Sequence, residues 1–185
     1  MTIYTMIDSP LGELLLVGEA SETAEGGTAL ASVSTRGQRN GAAVHEGWRH
    51  APDAFAAIAA QLRSYFDGRL TGFDIEYAAH GIAFQQRVWQ ALDAVPYGTT
   101  TTYGRLADRI GAPRSAVRAL AAAIGANPLL VVRPCHRVIG ADGALTGYAG
   151  GLDRKRQLLL HEGRGEIGGR TPVPRPRTRP ARPTR

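Results

Sequence analysis

Apolar and polar positions along the chain change period several times, and each change marks an element. "IYTMIDSPLGELLLVGE" (3–19) reads as two short strands around a Ser-Pro-Leu-Gly turn, and "ALASVST" (29–35) as a third. "DAFAAIAAQLRSYFDG" (53–68) switches to helical spacing, with positions 55, 58, 59, 62, 65 and 66 on one face and Asp67-Gly68 as the stop. "FDIEYAA" (73–79) alternates like a strand. "AFQQRVWQALDAVPYG" (83–98) predicts an amphipathic helix with Phe84, Val88, Leu92 and Val95 inward and Pro96 to Gly98 ending it. "YGRLADRIG" (103–111) is a short helix that Thr102 caps and Gly111 closes. "PRSAVRALAAAIG" (113–125) follows with Pro113 in its first turn, and "LDRKRQLLLHEG" (152–163) is the last helix.

The expected organisation is α+β. A sheet-plus-helix unit spans 1–80, a mainly helical unit 81–164, and an Arg/Pro-rich tail with almost no apolar content 165–185, expected to be disordered. Two short helices across a tight Gly-containing turn fit a helix-turn-helix, although an ordinary helix pair reads the same way.

Charge sharpens this division. The net +6 hides an acidic front, with 5 Arg/Lys against 10 Asp/Glu in residues 1–80. Residues 81–164 carry 11 against 5, and the tail 6 against 1. A basic middle beside an acidic front suits a polyanionic partner. With 43% hydrophobic residues the chain reads as globular. It has no apolar run long enough to span a membrane and no leader. One cysteine makes no internal disulfide, which places the expectation in a reducing cytoplasm.

Candidate chemistry gathers in the basic half. The helix from 113 presents Ser115, Ala116, Ala119 and Ala121 to Ala123 with Arg114 and Arg118. Small side chains allow close approach and the arginines can meet phosphate, a surface better suited to the narrow minor groove than to reading bases in the major groove. A tightly packed core helix remains the alternative. Cys135 sits in "VVRPCHRVIG" (131–140) and is a buried hydrophobe, a metal ligand or a nucleophile. The absence of a CxxC or HxxxH pattern around Cys135, His136 and His161 argues against metal. Pro134, His136, Arg133 and Arg137 favour a thiolate. In an extended segment His136 cannot bond the thiol directly, so a water would relay the proton. Glu162 lies in the last turn of its helix, where the dipole disfavours an anion, so a cation or donor should engage it.

"PCHRVIG", followed by "GALTGYAGGLDRKRQLLLHEG" and preceded by "FQQRVW", "TYGRLA" and "NP", resembles the O6-alkylguanine-DNA alkyltransferases over residues 1–164. The resemblance implies a ribonuclease-H-like front domain and a winged-helix-like second domain. It implies irreversible, single-turnover transfer of an alkyl group from guanine O6 in duplex DNA, or thymine O4, to Cys135, with the base flipped through the minor groove and no cofactor or metal. By position, Cys135 is the acceptor, His136 and Glu162 its relay, and Tyr103 the donor to the leaving base. Arg118 fills the stack, with Arg114, Ser115, Ala116, Ala119 and Arg137 also facing DNA. Asn127 links the helix pair to the cysteine, and Val138, Tyr148 and Ala149 line the pocket. The expected protein is a monomer whose cooperativity on DNA is left open. The alternative is a non-catalytic binder of alkylguanine lesions, which lacks the cysteine. Arg133 stands where the family pattern has an apolar residue, so its side chain must reach solvent or Glu162.

Overall fold

The computed structural model describes residues 1–78 and 80–163; the tail and its expected disorder lie outside the described residues. Strands β1 (Thr2–Ile7) and β2 (Leu14–Ala20) pair antiparallel through the predicted turn, where Ser9 and Gly12 exchange backbone hydrogen bonds and Gly12 adopts φ +97°. That left-handed angle is the reason for glycine. Strand β3 (Thr28–Thr35) pairs antiparallel with β2, and the two-residue β4 (Arg49–His50) lies parallel to β1, giving the order β3-β2-β1-β4. Helix α1 (Ala56–Phe66), entered through a 3₁₀ turn at Pro52–Phe55, packs Phe55, Ile58, Leu62 and Tyr65 onto Leu14, Leu16, Leu30 and Val33. It ends at the Asp67-Gly68 stop.

The segment 73–79 does not continue the sheet; Ala79 lies outside the described residues, and 73–78 make a single bridge, Tyr77 to Leu30. Beyond Leu30 the outer edge of β3 is already taken, because Val33 donates to the Pro128 carbonyl and accepts from Leu130. The alternation at 73–79 reflects one side packed on the core rather than a ladder.

Helix α2 (Ala83–Asp93) ends three residues before Pro96, and its Trp89 indole donates to the Ala123 carbonyl at 2.9 Å. A short pairing absent from the apolar pattern follows: β5 (Thr101–Thr102) lies parallel to β6 (Val138–Ile139). Helix α3 (Tyr103–Arg109) is capped by the Thr102 hydroxyl, which accepts from the Arg105 amide at 3.2 Å. Gly111 at φ +65° closes it, with Ala112 donating to Ala107 and Gly111 to Asp108. After a 3₁₀ turn at Arg114–Ala116 comes α4 (Val117–Gly125), and later α5 (Leu152–His161). Val88, Trp89, Leu92, Leu106, Leu120 and Ile124 form the core of this half, which Cys135 and Val138 join. Among the described residues no helix is long and apolar enough to cross a membrane.

Candidate active site around Cys135

The chain reaches Cys135 along the edge of β3. Leu129 to Val132 are buried in the core of the front sheet. Val131 takes φ +70°, which is unfavourable for a β-branched residue, in a tight turn closed by Val132 donating to Leu130 at 2.8 Å. A second tight turn at Pro134 lets Cys135 donate to the Arg133 carbonyl at 2.8 Å. Cys135–Arg137 then form a 3₁₀ turn, not the extended segment considered from the sequence. The Val138–Ile139 pairing with Thr101–Thr102 fixes its far end.

Cys135 is 6% exposed. Asn127, at the end of α4, donates from Nδ2 to its Sγ at 3.2 Å and to the Arg133 carbonyl at 3.2 Å, while its Oδ1 accepts from the Leu129 amide. Asn127 thus joins α4 to the cysteine turn. Burial pushes the thiol pKa up, and the Asn127 amide and the Lys155 charge offset only part of that. Burial thus favours the protonated thiol, and opposes the pull towards thiolate expected from the neighbouring arginines.

His136 is fully buried and its Nε2 lies 2.8 Å from Glu162 Oε1. Its Nδ1 is buried without a hydrogen-bond partner among the described residues. Burial lowers the imidazole pKa, and the Glu162 contact works against the shift without cancelling it. Glu162 is engaged, as its place at the helix end required. Besides His136 it accepts from Tyr65 Oη (2.7 Å), Arg137 Nε and Nη2 (both 2.9 Å) and the Gly98 amide (3.4 Å). Burial raises the carboxyl, but the bonds from His136, Arg137 and Tyr65 outweigh it and hold it far below the usual range.

Two arginines depart from expectation. Arg137, assigned to the DNA face, is 7% exposed. Its guanidinium is committed to Glu162 and the Val95 carbonyl and lies over the Tyr97 ring, so it is not available to phosphate. Arg133 reaches neither solvent nor Glu162. It pairs with Asp93 on α2 at 3.0 and 3.3 Å and sits between the rings of Tyr77 and Trp89, 5.2 and 5.1 Å from their centroids. An arginine beside a cysteine reads locally as free positive charge, and its carboxylate partner 25 or 40 residues away leaves no local signal.

Val138, fully buried, and Tyr148, half-buried, pack in the same cluster as Cys135, and Ala149 next to Tyr148 is half-buried. The Tyr148 hydroxyl has no hydrogen-bond partner among the described residues, and burial pushes its pKa well up. Tyr103 bridges to the same loop, donating to the Thr146 carbonyl at 3.4 Å and accepting from the Thr146 hydroxyl at 3.3 Å. Lys155, absent from the sequence reading, organises this loop: its Nζ donates to the carbonyls of Val138 (2.6 Å), Thr146 (2.7 Å) and Gly147 (3.2 Å). Burial brings its pKa down to about 8. Its spacing to Leu158, Leu159 and Glu162 puts it on the buried face of α5, a signal that was present in the sequence.

Ahead of Asn127 in the chain, α4 and its entering turn expose Arg114, Ser115, Arg118 and Ala119, with Ala116 half-buried. Arg114 approaches Asp108 at 3.9 Å. These exposed positions make a strip of small side chains and two arginines, of which Arg118 makes no ion pair among the described residues.

The family described as 6-O-methylguanine DNA methyltransferase, DNA binding domain, matches residues 83–164, and its ribonuclease-like domain matches residues 2–78. The chain belongs to the O6-methylguanine DNA methyltransferase family. A methylated-DNA–protein-cysteine methyltransferase of Mycolicibacterium paratuberculosis is 48% identical over 89% of this chain and 94% of its own length. A protein of the same description from Methanosarcina acetivorans is 42% identical over 86% and 97%. The Mycobacterium tuberculosis OGT solved in complex with DNA superposes at TM-score 0.78, with 47% identity over 86% of this chain and 92% of that one. The methyltransferase family thus accounts for both halves of the chain.

Proposed function

We propose that this protein repairs alkylated DNA by direct reversal, acting as a methylated-DNA–protein-cysteine methyltransferase on O6-alkylguanine in duplex DNA. The observation that carries the reading is Cys135 itself. The chain's one thiol is held by Asn127, which follows α4, beside the buried His136–Glu162 pair.

A buried thiol is a poor nucleophile until it loses its proton. His136 is neutral at physiological pH, and its Nδ1 is the nitrogen left to act as base when Nε2–H is donated to Glu162. A water between Nδ1 and Sγ would carry the proton, as His136 and Cys135 make no direct hydrogen bond. Glu162, kept ionised by Arg137, stabilises the imidazolium that forms. The S–C bond forms as the C–O6 bond breaks. Guanine departs with a proton supplied by Tyr103, whose hydroxyl is regenerated from the proton released by the thiol. A thioether is a poor leaving group, so the alkylated chain is the end product and each molecule acts once.

The base must leave the stack to reach a side chain this deep. Arg118, exposed among Ser115, Ala116 and Ala119, suits entry through the minor groove and occupation of the gap, with Arg114 near the backbone. Val138, Tyr148 and Ala149 form the receiving pocket, with Lys155 tying the Val138 carbonyl to those of Thr146 and Gly147 just before Tyr148.

The deciding measurement is intact mass and peptide mapping after incubation with an O6-methylguanine duplex. One added methyl per molecule on the Cys135 peptide is expected, with no further conversion in excess substrate. Lesion loss with an unmodified chain would refute transfer. Intact lesion tightly bound by an unmodified chain would instead establish the binder alternative.

A further inference from the structure

The front sheet-and-helix unit reaches the relay through one side chain. Tyr65, in the last turn of α1, is fully buried, with its ring against Phe66, Phe73, Tyr97 and His161 at centroid distances of 5.0–6.1 Å. Packing of that kind is satisfied equally by phenylalanine. The hydroxyl is the difference, and it donates to Glu162 Oε1 at 2.7 Å, the same oxygen that His136 Nε2 reaches at 2.8 Å. The Tyr65 carbonyl also meets His161 Nε2 at 2.7 Å, so this one residue grips two consecutive residues at the end of α5.

We propose that Tyr65 is a positioning residue of the transfer reaction: its hydroxyl fixes the Glu162 carboxylate, draws charge from the oxygen facing His136, and so tunes how readily His136 accepts the thiol proton. The inference rests on the reading of His136 as base. The acidic front unit then completes the reactive centre rather than merely adjoining it.

Three donors share Oε1, namely Tyr65, His136 and Arg137 Nη2. Removing the phenol leaves the other two and concentrates negative charge on that oxygen, which favours protonated His136. The remaining ionisable groups around the pair keep their places in such a variant: Arg137 and Cys135 on the turn, Lys155 and His161 on α5, Tyr97 after α2, and Tyr148 on the pocket loop. Arg137 still neutralises Glu162, and Lys155 still opposes a charge on His136. The change at His136 therefore reports Tyr65 alone.

The test is the pH profile of single-turnover alkylation of Cys135 by free O6-benzylguanine, which bypasses DNA binding. In Tyr65→Phe the acid limb should move up by on the order of one pH unit, as expected for deletion of one charge-assisted hydrogen bond. With 3-fluorotyrosine installed at position 65 the ring and hydroxyl remain and the phenol becomes a stronger donor, so the limb should move down. NMR of ¹⁵N-labelled His136 should follow the same two directions without reference to activity. A uniformly slower rate with an unmoved limb and unmoved ¹⁵N titration makes Tyr65 a packing residue and overturns the proposal. If Tyr65→Phe does not fold, the fluorinated protein and its ¹⁵N titration decide. Failure of the wild type to alkylate Cys135 would instead refute the reaction, a result distinct from wild-type transfer with an unshifted variant.

Discussion

Lys155 shows how a single buried charge ties a loop to the cysteine turn. Its ammonium satisfies three carbonyls, two on the Thr146–Gly147 loop and one at Val138 beside the cysteine turn. Lys155→Met keeps the aliphatic stem and leaves those carbonyls without their donor. Urea unfolding should show a loss of about 1–3 kcal/mol, the cost of unsatisfied buried polar groups, and alkylation of Cys135 should slow by roughly tenfold or more as the loop loosens. A variant of unchanged rate would mean that the loop is held by other contacts. At this scale much of the site was legible: Cys135, His136, Glu162 and Asn127 were singled out from sequence and do meet in space. Glu162 was betrayed by its own misfit with the helix dipole. Tyr65 was legible only as one more apolar-face residue, because nothing local says where a phenol finds its acceptor. Arg137 read as a DNA contact for the same reason, since its carboxylate partner lies 25 residues further along, at the end of another element.

Among the elements, the capped α3 and the exposed strip of α4 can be tested separately. Thr102→Ala removes the hydroxyl that accepts from the Arg105 amide and should cost about 1 kcal/mol in denaturant unfolding, the usual worth of an N-cap. Arg118→Ala leaves the core untouched, because the side chain is exposed. Repair of an O6-methylguanine duplex should fall by on the order of tenfold or more, since base extrusion costs a few kcal/mol, while alkylation by free benzylguanine stays within about twofold. Equal losses in both assays would remove Arg118 from the extrusion step. The helices were readable from 3.6-residue spacing with capping residues at their ends, and β1 to β3 from alternation and turn chemistry. The β5–β6 pair was not, because two residues have no period to detect. The segment 73–79 misled for the converse reason: it has the period of a strand, but the β3 edge it would join is occupied by the approach to Cys135.

Across the whole molecule, the apolar core of the sheet includes Leu129 to Val132 and Leu158, so the segment leading to the cysteine and the helix leading to Glu162 are anchored in the front half. The Tyr65–Glu162 bond crosses the same boundary. Stability should consequently depend on pH through the site. Glu162 titrates in the fold well below its ordinary 4.5, so its contribution is complete above that pH and is lost as acid protonates it. His136 titrates below 6.5 in the fold, so on acidification the unfolded chain takes up a proton first, which also favours unfolding. The urea midpoint should decline from pH 7 through 5.5 and more steeply below 4.5; a flat response between pH 7 and 4 would contradict the buried pair. The lone, 6% exposed Cys135 also makes the protein its own gauge. In denaturant a chromogenic thiol reagent finds one sulfur on every fresh chain and none on a spent one, so the colour lost from a sample counts, molecule for molecule, the lesions it has removed.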